Sequence, residues 1–328
     1  MQTSDPVIGL LILNRNGIRF LAPLYESIRS NGYPNVQTYL IDNCSEDGSV
    51  ESTLQGHPEV KVMRMPRNIG FVMAYNLAMP YAFADGCDWV VWANNDIILE
   101  PGCLSEMMRA VRTDPRIGVA GPAFLAWDGD EPNYYMKGKC PEMIPAMQAR
   151  SSVPVDMDWV EGSFLMVNRA TVEAVGPLNP HFFIFWEEAD FCRRVRYSGK
   201  RVVIVPSARV RHFGGAFSEG RRDTRRDWLH SRNYYIYTMS DPACGFLRNI
   251  LSAAYLFAIN VKAGMKRSPG SALLEVRAFT AVLMRLGVWY KKWSNDRRRI
   301  PPATLEKQYE GMQPAILYSL KDSDRDYS

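Results

Sequence analysis

The chain has 328 residues and a formal net charge of +4, and 47% of it is hydrophobic, including 8 Trp. That composition supports one large α/β domain with an appendage or two small domains, and it excludes a disordered or fibrous chain. Six cysteines, at 44, 87, 103, 140, 192 and 244, include no C-x-x-C pair, which excludes a zinc ribbon or disulfide framework and suits a reduced, cytoplasmic protein.

Residues 7–13 form an apolar run that reads as a buried first strand, closed by the turn cluster Asn14-Arg15-Asn16-Gly17. No basic segment precedes that run, and it is too short for a signal-peptide core or a bilayer span. Phe20, Leu21, Leu24 and Ile28 then fall at helical spacing. A second strand over 37–41 ends in Asp42-Asn43 and the loop CSEDGS, and a short helix is expected from 50. The third strand, 60–63, ends in Arg67-Asn68-Ile69-Gly70, followed by a helix over 71–83. The fourth, 89–93, is rich in Trp and Val and runs straight into Asn94-Asn95-Asp96, with a second apolar run at 97–99 and a helical restart at Pro101-Gly102.

Strands and helices alternating at this spacing predict a mostly parallel, Rossmann-like sheet flanked by helices. Each of the four strands ends on an Asn- or Asp-bearing loop, at Asn14, Asp42, Asn68 and Asp96. Taken singly, each is explained by an Asx turn or a helix cap. Right-handed crossovers carry all four ends to one sheet edge, where ligands of open α/β sheets bind. Asp96 at the tip of a buried strand reads as the holder of a divalent metal (Mg²⁺ or Mn²⁺) that in turn holds a diphosphate.

Residues 126–154 are polar and rich in Pro, Gly and Met without clear periodicity, as in binding loops. A strand is expected over 160–167 and a helix over 169–175, stopped by Gly176-Pro177. The run His181-Phe-Phe-Ile-Phe-Trp186 then delivers Glu187, Glu188 and Asp190 onto a helix start. Acids there suit the helix dipole, and three carboxylates beside aromatics also form a place for a base of raised pKa. His212 follows a strand over 201–206 and precedes Gly214-Gly215; it reads equally as a ligand or as a half-buried histidine. Arg221, Arg222, Arg225 and Arg226 form either a solvated loop or a lid that grips phosphate with guanidinium forks.

From 244 to 300 there are eleven Lys/Arg against two Asp/Glu, so the rest of the chain is near −5 and lacks the footprint of a nucleic-acid binder. Apolar helices with basic flanks are expected at 246–261 and 272–290, suiting an anionic membrane surface or a second subunit in a homodimer. The expected division is 1–240 as the catalytic domain, 241–300 as the helical region and 301–328 as a polar tail.

These motifs together resemble the family 2 inverting glycosyltransferases of the GT-A fold, most closely their bacterial rhamnosyltransferase-like branch, over residues 7 to about 233. LIDNCSEDGS is similar to that family's nucleotide loop, RNIGFVMAYN to its N-x-G-F segment and ANNDIIL to its metal motif. VEGSFLMVNR is similar to the acceptor-side strand, and FFIFWEEADF through ARVRHFGG to the stretch with the catalytic acids and metal histidine. The resemblance implies Asn14, Asn16, Asp42, Asn43, Asn68, Gly70, Asn94, Asn95, Arg221 and Arg222 at the nucleotide, and Asp96 and His212 at the metal. It implies Glu188 as base, with Glu187 and Asp190 as the other candidates, and Trp186, Gly162 and Ser163 toward the acceptor.

Asn94 stands where the metal motif carries Asp, and Glu188 where the base is usually Asp. The implied reaction moves a sugar, L-rhamnose from dTDP-rhamnose first and a UDP-sugar such as UDP-galactofuranose next, to a glycan or lipid-linked oligosaccharide at the inner membrane face. A dehydrogenase would need G-x-G-x-x-G after the first strand, where this chain has NRNG. A non-catalytic sugar-nucleotide-binding scaffold of the same fold is the other reading.

Overall fold

The structure, a computed structural model, describes residues 5–214 and 224–301, in two compact units. Of the described residues, the first holds 5–183, 187–196 and 200–214, and the second holds 184–186, 197–199 and 224–301.

A nine-stranded mixed sheet organises the first unit. β1 (Ile8–Asn14) is buried along its whole length, as a central parallel strand requires. The helix α1 (Ile18–Arg29) leads to β2 (Val36–Asp42), and α2 (Ser49–Gly56) to β3 (Lys61–Arg64). Next come α3 (Gly70–Ala84), β4 (Trp89–Asn94), β5 (Ile97–Leu99), α4 (Cys103–Thr113) and β6 (Ile117–Ala126). After two short helices, α5 (Tyr134–Lys139) and α6 (Ile144–Gln148), follow β7 (Val155–Asp156), β8 (Phe164–Asn168), α7 (Arg169–Val175), α8 (Glu187–Tyr197) and β9 (Arg201–His212). The strands lie in the order β3-β2-β1-β4-β8-β6-β9-β5, with β7 beside β9.

Register positions the site. β1 is parallel to both β2 and β4, with Asn14 opposite Asp42 and Leu13 opposite Asn94. Three polar strand ends therefore sit level at one edge. β5 pairs antiparallel with β9 and sets Ile97 opposite His212, so the residue before Ile97 and the last residue of β9 meet although far apart in the chain. Beneath them Trp92 is fully buried between Tyr75 of α3 (ring centroids 5.6 Å apart) and Phe191 of α8 (5.2 Å).

Several expectations change in detail, and the strand expected over 201–206 runs on to His212. The strand expected over 160–167 is confined to Phe164–Asn168, because Glu161, Gly162 and Ser163 form the turn entering it. The segment 126–154 is no featureless loop: it holds α5, a 3₁₀ turn (Pro141–Met143) and α6, with Met136, Met143 and Met147 buried. Helices of five or six residues span too few turns to leave a period in the sequence.

The second unit is helical: α9 (Thr224–Met239), α10 (Phe246–Arg267), α11 (Pro269–Leu283) and α12 (Leu286–Arg299). Ser268 caps α11 by accepting from the Ser271 amide, with Pro269 in the first turn. The apolar stretch 272–290 is broken at Met284–Arg285, where the indole N–H of Trp289 donates to the Val282 carbonyl at 2.8 Å.

Candidate active site

The first three strand-end loops are bonded to one another. Asn14 donates through Nδ2 to Ser45 Oγ (3.1 Å) and, more weakly, to Asp42 Oδ1 (3.5 Å), and it accepts from Asn95 Nδ2 at 2.6 Å. The Asn43 amide donates to the Asn14 carbonyl at 2.8 Å, and its side chain donates to Asn68 Oδ1 at 2.9 Å and accepts from the Ile69 amide at 2.8 Å. Asn16 accepts from the Glu46 amide at 2.9 Å, which folds the CSEDGS loop back onto the first. Asn14, Asp42, Asn43, Asn68, Asn95 and Asn16 are thereby gathered at one sheet edge, with Asn94 half-buried at the end of β4. Some of their hydrogen-bonding capacity goes to turn structure: Asp42 Oδ2 accepts the Ser45 amide at 3.1 Å.

Gly70 joins this edge to the acidic segment. It has φ +82°, and an added Cβ would lie 2.5 Å from the Phe183 ring and 2.7 Å from the Phe183 carbonyl oxygen. The next amide, Phe71, donates to that carbonyl at 2.9 Å. Only glycine permits both the left-handed backbone and the close approach.

The metal candidates meet. His212 Nε2 lies 3.4 Å from Asp96 Oδ1, long for a hydrogen bond and within ion-pair range. On its other side His212 Nδ1 is 2.8 Å from Glu161 Oε1, which also accepts from Ser163 Oγ at 2.8 Å. Burial opposes the imidazolium, yet the Glu161 charge and the contacts with Asp96 and Glu161 bring His212 up to about 10. Asp96 Oδ1 and Asn95 Oδ1 are both buried with no hydrogen-bond donor among the described residues.

Among the described residues no three His, Cys, Asp or Glu side chains are arranged to hold a metal ion by themselves. The orphaned oxygens of Asp96 and Asn95 still fit Mg²⁺ or Mn²⁺, because hard cations at phosphate sites take one or two carboxylates and draw other ligands from substrate phosphate and water, and a cation bound there would replace the Nε2 proton of His212.

The three acids of α8 separate by environment. Burial, and then the Glu188 charge, hold the Glu187 carboxyl well above the carboxylate range, and its Oε2 is buried without a hydrogen-bond partner among the described residues. Burial, with the Glu161 charge adding, raises half-buried Glu188 to about 7. Gly162 lies against it, an added Cβ falling 3.3 Å from Glu188 Cβ. Asp190 departs from its expected place among the base candidates. It is fully buried and ion-paired with Arg194 Nε (3.0 Å) and Arg193 Nη2 (3.3 Å), so its carboxylate is committed to holding the helix.

Glu161 was not among the residues expected at the site. The available signal was its place directly before Gly162-Ser163, two residues already singled out. Ser163 serves the site through Glu161, to which it donates. Trp186 belongs to the second unit, where its ring stacks on Tyr234 with centroids 4.6 Å apart. Trp186 and Phe185 have φ of 71° and 75°, and Asn233 Nδ2 donates to the carbonyls of Ile184 (2.8 Å) and Phe185 (3.0 Å). Arg221 and Arg222 lie outside the described residues.

Comparison with known proteins bears on the family and the fold. The family model described as glycosyl transferase family 2 matches residues 10–174. An N-acetylglucosaminyl-diphospho-decaprenol L-rhamnosyltransferase of Mycobacterium tuberculosis is 28% identical, covering 71% of this chain and 86% of the relative. A dTDP-rhamnosyl transferase of Shigella flexneri is 22% identical over 54% of this chain and 60% of its own length. Among solved structures, S. aureus TarS 1-349 in complex with UDP-GlcNAc superposes with a TM-score of 0.58 at 11% identity, covering 93% of this chain and 91% of that one. A Pyrobaculum calidifontis mannosyltransferase in complex with GDP-Man and Mn²⁺ gives 0.53 at 14% identity, over 93% and 87%. At such identities the two structures speak to the fold alone.

Proposed function

The chain belongs to glycosyl transferase family 2 and is a glycosyltransferase, and from that premise we propose that it transfers L-rhamnose from dTDP-rhamnose to a lipid-linked glycan at the cytosolic face of a membrane. The observation that carries the site assignment is the buried Asp96 carboxylate, 3.4 Å from His212 and lacking a hydrogen-bond donor on Oδ1, at the edge where the loops of Asn14, Asp42, Asn43 and Asn68 converge. Sugar and acceptor follow the names of the Mycobacterium and Shigella relatives.

In this reading Asp42, Asn43 and their bonded partners Asn14 and Asn68 hold the nucleotide, and Asp96 with His212 holds Mg²⁺ or Mn²⁺. A cation held there would offset negative charge on the diphosphate leaving group. Glu188, poised near neutrality, takes the proton of the acceptor hydroxyl as that oxygen attacks the anomeric carbon. The sugar–phosphate bond breaks on the opposite face, nucleoside diphosphate leaves, and the anomeric centre inverts without a covalent intermediate. Glu187, held protonated beside the base, leaves Glu188 the carboxylate suited to accept that proton.

Calorimetry of the protein with dTDP-rhamnose, UDP-galactofuranose and other UDP-sugars, each with and without Mn²⁺, tests the reading. Binding of dTDP-rhamnose that needs the metal and is lost in Asp96→Ala supports it. Metal-independent binding unaffected by that change overturns the metal assignment. Binding without transfer or donor hydrolysis would instead identify a scaffold.

A further inference from the structure

The second unit exposes an apolar surface that its own packing leaves uncovered. Tyr235 of α9 accepts from Asn260 of α10 at 3.1 Å, donates to Glu275 of α11 at 2.6 Å and packs edge-on against Phe279, centroids 5.2 Å apart. Those contacts turn one side of α10 and one side of α11 inward onto α9. Away from it, α10 carries Leu247, Leu251 and Tyr255 at four-residue spacing and Met265 further along. Leu247, Leu251 and Met265 are 71%, 62% and 69% exposed. The outer side of α11 carries Leu273, Val276 and Leu283, followed by Met284. A helix apolar on two opposite sides has something covering the second side in its working state.

Charge identifies the cover. Arg248, Lys262 and Lys266 are exposed on α10, Arg277 on α11, and Arg285 and Lys291 beyond it. The two acids between 244 and 300 both have internal partners: Glu275 accepts from Ser231 Oγ (2.8 Å) and Tyr235, and Asp296 is ion-paired with Lys292 at 2.5 Å. The outer side of this stretch is thus apolar and cationic, with its acids turned to other work. Pairing with a second copy through this face would set cations against cations. A bilayer with anionic headgroups satisfies both features, and no described helix is long and apolar enough to cross one.

We propose that the outer face of α10 and α11 docks on an anionic phospholipid bilayer, with Leu247, Leu251, Leu273 and Met284 entering the interface and Arg248, Lys262, Lys266 and Arg277 meeting headgroups. This stands on the helices and not on the catalytic reading, and its test uses neither donor nor acceptor. The full chain is sedimented with vesicles of phosphatidylcholine alone and of phosphatidylcholine mixed with phosphatidylglycerol. Binding is expected to the mixed vesicles, weakened by salt and nearly absent on neutral ones. The triple change Arg248→Gln, Lys262→Gln, Lys266→Gln should weaken it roughly a hundredfold. Leu247→Ser with Leu251→Ser, both at exposed positions, should weaken it roughly tenfold or more with an unchanged melting temperature.

Failure to bind anionic vesicles overturns the proposal, as does equal, salt-insensitive binding to neutral ones. A dimer in vesicle-free sedimentation that the leucine changes dissociate would assign the face to a second copy. Vesicle binding that appears only after removal of 302–328, a segment with five acids and three bases, would assign it to the chain's own tail.

Discussion

His212 Nδ1 lies 2.8 Å from Glu161 Oε1, while its other ring nitrogen faces Asp96. A carboxylate bonded to one nitrogen of a histidine fixes which nitrogen is presented to a ligand and strengthens it as a donor. Glu161 is itself steadied by Ser163 Oγ and, at 3.5 Å, by Asn133 Nδ2. Glu161→Ala should therefore weaken Mn²⁺-dependent nucleotide binding roughly 10- to 100-fold. Glu161→Gln, which can still accept from Nδ1–H, should recover part of that loss. Calorimetric titration of dTDP in the presence and absence of Mn²⁺ measures both. Unchanged metal dependence in the alanine variant would reduce Glu161 to a packing role.

Glu188→Gln removes the carboxylate proposed as proton acceptor while keeping the shape of the side chain against Gly162. Transfer should fall by ~10² to 10⁴, with dTDP affinity within about twofold of the parent, since no nucleotide contact is altered. Single-turnover transfer to a soluble acceptor analogue, beside calorimetry of dTDP, separates the two effects. Parent-like turnover would move the base to Glu187.

Burial brings Glu188 up to about 7 from an ordinary 4.5, so the ionised form that the proposed base requires is lost on the acid side. The expected kcat/KM profile rises about tenfold per pH unit below 7 and levels above it. Glu161→Gln removes a charge that raises Glu188, so its acid limb should move to lower pH. The folded state binds the proton more tightly than the unfolded one, so this group's contribution to stability declines as pH climbs from about 4.5 to about 7. An acid limb that stays in place in Glu188→Asp and Glu161→Gln alike would show that another group controls it.

The convergence of the strand ends is legible in the sequence because it follows from topology. Alternating strands and helices force a common edge, and Asn14, Asp42, Asn68 and Asp96 each follow a strand. The meeting of Asp96 with His212 came from resemblance, since no local pattern relates residues 116 positions apart until β5 pairs with β9. Glu161 leaves no periodic signal in the sequence because it sits in a turn within an apolar run that reads as strand, and a lone acid in a turn has no spacing to reveal it. Asp190 reads as a base candidate for the opposite reason. Its sequence neighbours are two other acids, while the partners that occupy it, Arg193 and Arg194, lie one helical turn away.

Those partners make Asp190 a test of stability rather than of chemistry. Its carboxylate is fully buried between two guanidinium groups that are themselves 4% and 6% exposed. Arg194 also donates to the carbonyls of Val175 (2.7 Å), Gly176 (3.2 Å) and Pro177 (3.0 Å), tying α8 to the end of α7. Removing the carboxylate leaves buried positive charge unpaired, which costs about 3–5 kcal/mol. Asp190→Ala should therefore lower the unfolding free energy measured by urea titration by that amount, with a lower midpoint, while the protein that remains folded binds dTDP and transfers sugar at close to the parent rate. Asp190→Asn, which still offers one acceptor oxygen, should lose less. A variant with parent-like stability and no transfer would place Asp190 at the reaction instead, and Glu188 would then cease to be the sole carboxylate of α8 acting on the acceptor.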